Sequence, residues 1–418
     1  SLPSRRWPAR PGGRREPGPV ELNLSAQTGI TALRVPGLDV IALVLCGVAL
    51  YRRIIRSTLD DQTPSVRTLS LLLLLQLAAV VVLDLLGVNT FAVRNGLPSK
   101  GDFNESLWQL RQLLLMPMFA FLLLYAIPGK PSDLRLIARV AIFAGCVKSL
   151  IGLFFLYYFV RGSGYPVEYS TSHSDTLLFV PLLAMQFAWR FEPRGQGSRL
   201  DALLWVPLVT WGMIGNDRRL AWVSLFGCLL TILLLQPWTA AKRSFLRKLV
   251  ILSPAILLYV VAGWNAAYES KWFAGSQLVK SLIKGDQAQA GADYRDIENF
   301  NVLYTWSENA FVPLGFGHKF DEPVRLPDIS HAMSTYQYHP HNSILWMWTI
   351  GGLFGFFALF APLVAAVFLA ARVFRAALQP VDRVAALTVI ALVITYLNQC
   401  YGDMGTRTVI TEQAVQYG

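Results

Sequence analysis

Long apolar runs separated by short polar connections dominate the chain from about residue 37 onward. A membrane-spanning helix needs about 20 mainly apolar residues, and about ten segments approach that length. The predicted spans cover residues 37–53, 68–88, 107–127, 135–160, 175–191, 200–215, 219–236, 248–265, 343–371 and 384–402. The first and sixth are short for a bilayer. The pattern predicts an all-α polytopic membrane protein with about ten transmembrane helices.

Composition supports the same class. The chain has 418 residues, of which 54% are hydrophobic and only 15% are charged, and its mean hydropathy is +0.43. Ordinary soluble domains carry more charge and fewer apolar residues. A soluble globular enzyme is therefore excluded, and membrane lipids are expected to surround most of the chain.

The positive charge gives the expected orientation. A net charge of +11 would suggest nucleic acid in a soluble protein, but here the basic residues fall on alternate connections. The first set consists of Arg52, Arg53, Arg56, Arg67, Lys130, Arg135, Arg139, Arg190, Arg194, Arg199, Lys242, Arg243, Arg247, Lys248, Arg372, Arg375 and Arg383. The intervening connections carry Arg94, Lys100, Arg161, Arg218 and Arg219. Because cytoplasmic loops collect Lys and Arg, the first set is predicted to be cytoplasmic, and no nucleic-acid partner is expected.

The predicted spans divide the chain into five parts. Residues 1–36 are rich in Pro, Gly and Arg, which is typical of disorder, and the side of the membrane on which they lie stays open. Residues 37–264 hold helices 1–8, residues 265–340 form one long outward loop, residues 341–403 hold helices 9 and 10, and residues 404–418 form a tail. The cysteines Cys46, Cys146, Cys228 and Cys400 sit in apolar spans, so neither a disulfide nor a metal site is predicted.

The long loop at 265–340 contains two helical patterns. Its first part, WNAAYESKWFAGSQLVKSLI, interleaves aromatic and aliphatic residues with lysines and predicts a helix along the membrane interface. The second, DYRDIENFNVLYTWSEN, predicts a helix with Asp293 as its N-cap, and PLGFG then ends the helical pattern. A loop this long is more often a folded cap over a site than a free linker.

The run HNSILWMWTIGGLFG carries the most specific motif. It has His341 and Asn342, then nine residues, then Gly352 and Gly355. A histidine side chain is mostly neutral at pH 7 and can accept a proton. This spacing resembles the signature of the O-antigen ligase and Wzy-type polymerase superfamily, whose members transfer glycans from a lipid diphosphate carrier.

Two further elements resemble the same superfamily. The run NDRRLAWVSLFG places Arg218 and Arg219 on a short outer turn before a span. In the long loop, Arg295 lies on a predicted helix that leads into the turn at 313–317. The matching stretches together cover roughly residues 212–236 and 293–358.

The resemblance implies a GT-C-like fold and a catalytic role for His341. Arg218, Arg219 and Arg295 would bind the diphosphate of an undecaprenyl-diphosphate-linked glycan, since guanidinium groups bind phosphate oxygens in pairs. His339, Asn342, Gly352 and Gly355 would support the site. The reaction would invert the anomeric centre without metal or cofactor, at the periplasmic face of a bacterial inner membrane.

Each residue also has an ordinary structural interpretation. His341 could merely cap the ninth span, although the motif favours catalysis. Arg218 and Arg219 could reach lipid phosphates, but arginine on an outward turn opposes the usual charge bias. Arg295 could equally pair with Asp296 or Glu298 on its own helix.

Other polar and aromatic residues near the outer ends of the spans carry weaker signals. Asp84 and Arg111 could form a structural pair, and Lys148 has no assigned role. The aromatic residues could stack on sugars, but an interfacial belt is favoured. They are Trp222, Tyr338, Trp346 and Trp348.

Three functions remain open. A polymerase would add lipid-linked glycan to another lipid-linked glycan, and a ligase would transfer it to lipid A core. Both use the same residues, and the superfamily also includes protein O-glycosylating members. Polymerase is favoured because such enzymes vary widely outside the motifs. A transporter or flippase of lipid-linked glycans would be expected to show internal repeats and helices broken at the membrane midplane, and the sequence indicates neither.

Overall fold

Ten helices form most of the described structure. The computed structural model describes residues 21–23, 34–36, 44, 47, 64–89, 93–94, 97–111, 113–114, 131–160, 171, 173–192, 199–216, 218–265, 273, 275–276, 279–280, 289–308, 311–328 and 335–402. The helices are α1 (Pro64–Val88), α2 (103–111), α3 (Pro131–Phe154), α4 (Thr176–Phe191), α5 (Arg199–Gly215), α6 (Arg219–Leu235), α7 (Ala240–Gly263), α8 (Gln289–Glu308), α9 (Ser343–Ala376) and α10 (Pro380–Gly402). The helical architecture predicted from the apolar runs is confirmed.

Two short ribbons accompany the helices. Strand β1 (Glu21–Asn23) pairs antiparallel with β2 (Arg34–Pro36), inside the segment at 1–36 for which disorder is predicted. Strand β3 (Val93–Arg94) pairs with β4 (Leu97–Pro98) just after α1. The rest of the segment at 1–36 lies outside the described residues, so the prediction of disorder there stays a prediction.

Local sequence signals explain where several helices begin. Proline is the first residue of α1, α3 and α10, a position at which its missing N–H costs nothing. In α7, the Thr239 side chain accepts a hydrogen bond from the Lys242 N–H at 3.2 Å. Such N-caps satisfy one of the free amides of the first turn. Asp293 is not the N-cap of α8, because that helix already begins at Gln289.

Among the described residues, five helices are long and apolar enough to cross a bilayer. They cover Arg67–Val88, Ser132–Tyr158, Ala240–Gly263, Ser343–Ala376 and Pro380–Gly402. The apolar helices α4, α5 and α6 have 16 or 17 residues, which is short of the ~20 that a 30 Å core requires. The predicted spans at 37–53 and 107–127 lie largely outside the described residues, as does the interfacial helix after residue 264. The count of ten spans therefore stays a prediction.

The helices pack around two apolar cores. The first lies among α4, α5, α6 and α10 and includes Phe179, Met213 and Leu387. The second joins α1, α8, α9 and α10 with the loop after α8, through residues such as Val80, Phe316 and Tyr396. Trp346 is buried in this second core against Phe320, with ring centroids 6.3 Å apart. Its proposed place in an interfacial belt is wrong, because its helix faces the protein at that position.

The bundle has two ends that differ in charge. At the first, called the basic end, the chain leaves α4, α6 and α9 and enters α7 and α10. Lys242 Nζ donates to the Gln236 carbonyl at 2.8 Å, and Gln236 reaches the Ala188 carbonyl. Arg383 Nε donates to Glu192 Oε1 at 2.9 Å, which joins α10 to the end of α4. Connections that were predicted to be cytoplasmic meet at this end.

The opposite end, called the site end, holds the starts of α4, α6 and α9 and the ends of α1, α5 and α10. Asn216 after α5 donates to Thr176 Oγ1 at the start of α4, at 3.0 Å. A Cβ on Gly402, the last residue of α10, would lie 3.5 Å from Leu220 at the start of α6. The start of α6, with Arg218 and Arg219, and the start of α9, which follows His341, therefore both face this end of the bundle.

Candidate functional site

His341 lies immediately before α9, and its neighbour Asn342 is the N-cap of that helix. The Asn342 side chain accepts a hydrogen bond from the Leu345 N–H at 3.2 Å. This cap fixes the position at which the long helix α9 begins, and it thereby also constrains the backbone of His341, which precedes the cap. Asn342, the second residue of the motif, therefore stabilises the first turn of α9.

Glu298 on α8 holds His341 at two points. The His341 main-chain N–H donates to Glu298 Oε2 at 2.8 Å. Its ring Nδ1 lies 3.1 Å from Oε1 and 3.0 Å from Oε2 of the same carboxylate. Glu298 is 1% exposed, whereas the His341 side chain is 23% exposed. The imidazole therefore stands between a buried carboxylate and an accessible surface.

This geometry selects the tautomer of a neutral His341. An ionised carboxylate only accepts hydrogen bonds, so the neutral ring places its proton on Nδ1 and donates it to Glu298. Nε2 then keeps a lone pair that can accept a proton. A carboxylate that orients an imidazole and stabilises its protonated form is the arrangement found in general-base pairs.

Tyr294 borders the other side of the imidazole. The two ring centroids are 5.9 Å apart, with an interplanar angle of 80°. Burial raises the pKa of Tyr294, and the Glu298 carboxylate raises it further, so the phenol stays protonated. Its buried Oη has no hydrogen-bond partner in the part of the chain that the structure describes. The site thus contains a neutral hydroxyl donor beside the candidate base.

Gly352 interrupts α9 after its first nine residues. Its φ of 56° and ψ of −165° belong to a backbone region that is almost restricted to glycine. A Cβ there would lie 2.9 Å from the Phe311 carbonyl oxygen and 3.0 Å from the Pro313 nitrogen. Helix α9 is therefore interrupted, and the expectation that no helix breaks at the membrane midplane stays a prediction. The break lies near the start of the helix, where the neighbouring loop buries the irregular backbone.

The turn at 313–317 fits into this break. Gly315 N–H donates to the Ile350 carbonyl at 2.9 Å, and Phe316 N–H donates to the Leu83 carbonyl at 3.0 Å. Gly355, one turn further along α9, lies next to the Leu83 side chain, which a Cβ would approach to 3.4 Å. The glycines of the motif thus allow the loop, α1 and α9 to pack closely below His341.

His339 forms a second contact with a carboxylate. Its Nε2 lies 3.5 Å from Glu105 Oε2 on α2, and its ring packs edge-on against Trp108 with centroids 4.5 Å apart. His339 is 6% exposed, so it is less accessible than His341. This placement suits a residue that anchors the 338–341 segment to α2.

The three candidate arginines lie around the site end. Arg218 is the residue before α6, and Arg219 is the first residue of that helix. Both are partly buried. Arg295 is exposed and follows Tyr294, whose ring contacts His341. Arg295 thus follows a residue that contacts His341, whereas Arg218 and Arg219 lie at the start of α6, beside the end of α10.

Lys148, which had no assigned role, pairs with Asp175. Lys148 Nζ lies 3.5 Å from Asp175 Oδ1, just before α4. The next residue, Thr176, accepts the hydrogen bond from Asn216, two residues before Arg218. Asp84 accepts a hydrogen bond from Ser106 Oγ at 2.7 Å, and its pairing with Arg111 stays a prediction. Charged groups at membrane depth therefore have partners inside the bundle.

Glu298 and Tyr294 were missed as site residues. Glu298 had been considered only as a helix partner of Arg295, because 43 positions separate it from His341 in sequence. A signal did exist in the spacing of α8. Tyr294, Glu298, Asn301 and Thr305 recur at helical intervals, and the last three are almost fully buried. A polar stripe on the buried face of a helix indicates buried hydrogen-bonding groups and, here, a site.

Comparison with known families supports the resemblance. Residues 203–360 match the family model described as O-antigen ligase. That stretch contains every residue that the motifs singled out, from Arg218 to Gly355, together with Tyr294 and Glu298. A search of curated proteins found no match. The resemblance predicted from the motifs is confirmed over this region, where the chain is similar to the O-antigen ligase family.

Proposed function

We propose that the protein is a glycosyltransferase that moves a glycan from a polyprenyl diphosphate to a hydroxyl group of an acceptor. The match to the O-antigen ligase family supports this class of reaction. The observation that carries the mechanism is the contact between His341 and the buried Glu298. This contact orients the imidazole of His341, and both residues lie inside the region that matches the family model.

In this mechanism His341 is the general base. The acceptor hydroxyl gives its proton to Nε2 while its oxygen bonds to the anomeric carbon of the donor sugar. The bond from that carbon to the diphosphate oxygen breaks, and polyprenyl diphosphate leaves with the electron pair. Displacement from the opposite face inverts the anomeric centre. General-base assistance of this kind is typically worth ~10²- to 10⁴-fold in rate.

Glu298 acts as a positioning residue for the base. It holds Nδ1–H, so Nε2 faces the acceptor, and it stabilises the imidazolium that forms. Tyr294 packs against the ring, and its protonated hydroxyl can donate to a substrate oxygen. Both residues reach His341 from α8, and we propose that this helix is part of a cap that residues 265–340 form over the site.

The arginines bind the diphosphate. Arg218, Arg219 and Arg295 remain cationic and can each hold two phosphate oxygens, so they offset the charge that develops on the leaving group. We place this end of the bundle at the periplasmic face of a bacterial inner membrane. The opposite end collects the arginine and lysine residues that normally remain in the cytoplasm.

Two acceptor classes fit the same chemistry. A polymerase would use a second lipid-linked glycan, and a ligase would use lipid A core. We favour the polymerase, with the ligase as the alternative. The single break at Gly352 does not by itself favour a transporter, because the sequence shows no internal repeat to accompany it.

The test is a transfer assay with purified protein and an undecaprenyl-diphosphate-linked glycan. Wild type should form a new glycosidic bond, and His341→Ala should reduce turnover by about 10²- to 10⁴-fold. Arg218→Ala should weaken donor use, and Arg218→Lys should restore it only in part, because lysine cannot bind phosphate through a planar fork. Arg247→Ala, an exposed change on α7 near the basic end, is the matched control.

The same assay separates the candidates. Product with a second lipid-linked glycan identifies a polymerase, and product with lipid A core identifies a ligase. Transport of the glycan across proteoliposomes without any new glycosidic bond would contradict the transferase proposal.

A further inference from the structure

An open cavity of about 450 Å³ lies beside the segment that carries His341. Its walls come from residues 99–102, from Gly317 to Lys319, and from Tyr338. Binding sites for small molecules commonly measure ~300 to 1,000 Å³. The cavity is therefore large enough for part of a substrate.

Hydrogen bonds fix the walls of this cavity. Asp102 N–H donates to the Gly317 carbonyl at 2.8 Å, and Gly317 N–H donates to Gln109 Oε1 at 2.8 Å. Gln109 Nε2 in turn donates to the Tyr338 carbonyl at 3.1 Å. Gly317 has a φ of 78°, and a Cβ there would collide with the Asp102 carbonyl. Three separate parts of the chain are thus held in fixed register before any ligand arrives.

The segment at 338–341 connects the cavity to the candidate base. Tyr338 lines the cavity, and His341 follows three residues later. Between them, His339 packs against Trp108 of α2, the helix whose first turn Asp102 caps by accepting the Glu105 N–H at 3.0 Å. A ligand in the cavity would therefore lie next to the segment that ends at the reacting group.

The charge of the lining indicates what kind of ligand fits. Lys100 and Lys319 both line the cavity and are exposed, and Lys319 Nζ lies 5.2 Å from the centre of the Tyr338 ring. Asp102 supplies one carboxylate, but its Oδ1 already serves as the cap of α2. Burial and the carboxylates of Asp102 and Glu105 raise the pKa of Tyr338, so its hydroxyl remains a neutral donor. Two ammonium groups, a hydroxyl and an aromatic edge suit an anionic sugar better than a lipid tail.

We propose that this cavity is an acceptor subsite that binds a negatively charged sugar residue of the acceptor glycan through Lys100 and Lys319. The ligand class rests on the proposed transferase function. The charge on the sugar can come from a carboxylate or a phosphate group, since an ammonium group binds both. Bound there, the glycan would extend along residues 338–341 toward Nε2 of His341.

The experiment measures binding separately from turnover, in the detergent-purified full chain carrying His341→Ala. The probes are trigalacturonate, its neutral methyl ester and a trimannoside 6-phosphate. At least one anionic probe should bind about tenfold more tightly than the methyl ester. The double variant Lys100→Gln/Lys319→Gln should lose that advantage, and raising the salt concentration should reduce it. The probe that binds identifies the source of the charge.

Lys248→Gln is the matched control, because Lys248 is exposed on α7 near the basic end. It should leave binding of every probe unchanged. The subsite proposal would be overturned if the ester and both anions bound equally well. It would also be overturned if an anionic probe still bound tightly to the Lys100→Gln/Lys319→Gln variant. Loss of the subsite with transfer activity intact would leave the transferase proposal standing. If the probes bind in a lysine-dependent way but the wild-type protein transfers no glycan, the transferase proposal fails and the anion-binding subsite still stands.

Discussion

Two buried glutamates, one near each end of the bundle, have different partners. At the basic end, Glu192 pairs with Arg383, whose guanidinium lies over the Phe374 ring at 4.7 Å. At the site end, the more deeply buried Glu298 pairs with His341. Arginine never releases its proton under physiological conditions, whereas histidine exchanges its proton near neutral pH. The first pair is a fixed structural link, and the second can take part in a proton transfer.

The largest effect on turnover in this comparison is expected from Glu298→Gln. The amide can present an N–H to Nδ1 and so favour the wrong tautomer, which should lower kcat by about 10²- to 10⁴-fold. The measurement is turnover per folded molecule, with thermal unfolding as the check on folding. Asp296→Asn, an exposed change on the same helix, is the control and should have little effect.

A double variant sharpens that result. If Glu298 acts through the base, Glu298→Gln in a His341→Ala background should cause almost no further loss, because residues that act as a unit are not additive. Independent, multiplying losses would show that Glu298 has a different role.

Gly352→Ala should have the next largest effect. The positive φ adds roughly 1 to 3 kcal/mol of strain, and the new Cβ would press on the Phe311 carbonyl oxygen. We expect a lower thermal midpoint and about a tenfold loss of turnover, since the start of α9 must move. Gly355→Ala is the matched control, because its Cβ would meet only the Leu83 side chain. Similar losses in the two variants would contradict a special role for the break.

Tyr294→Phe should produce a smaller kinetic change. Loss of a single hydrogen bond to substrate corresponds to about a two- to tenfold reduction in kcat/KM. Stability should be unchanged or slightly higher, because the buried hydroxyl lacks a hydrogen-bond partner among the described residues. Unchanged kinetics with lower stability would assign Tyr294 a packing role only.

Glu192→Gln should leave turnover of the folded enzyme unchanged. Removal of one charge from the buried pair leaves Arg383 without its counterion, which should lower the free energy of unfolding by roughly 1 to 3 kcal/mol. The thermal midpoint measures the loss, and the transfer assay measures turnover. A turnover loss comparable to that of Glu298→Gln would erase the distinction between the two ends.

Much of the helical framework was predictable because apolar runs and initial prolines mark it directly. The predicted span at 219–236 coincides with α6 almost residue for residue. The motif around His341 was equally local. Its contact with Glu298 could not be predicted from a local pattern, because only the fold brings α8 against the start of α9. Hydropathy also cannot separate a lipid-facing Trp from a buried one, and for that reason Trp346 was misplaced.

The break at Gly352 shows a further limit of sequence patterns. Two adjacent glycines in an apolar run are compatible with a straight helix, and the φ of the second one depends on a loop that packs against it from forty residues earlier in the chain. Helix α7 shows the opposite case. None of its apolar window is buried inside the protein, and hydropathy alone predicted its apolar part at 248–265, although the helix begins earlier, at Ala240.

The single carboxylate of Glu298 accepts a hydrogen bond from the main-chain N–H of His341 and also contacts its ring Nδ1. Rotation of the imidazole, or a displacement of the His341 backbone, would therefore break a contact with Glu298 unless α8 moved as well. Binding of a substrate or partner that displaces α8 would therefore move His341 as well, and binding that leaves α8 in place would leave the orientation of the imidazole unchanged.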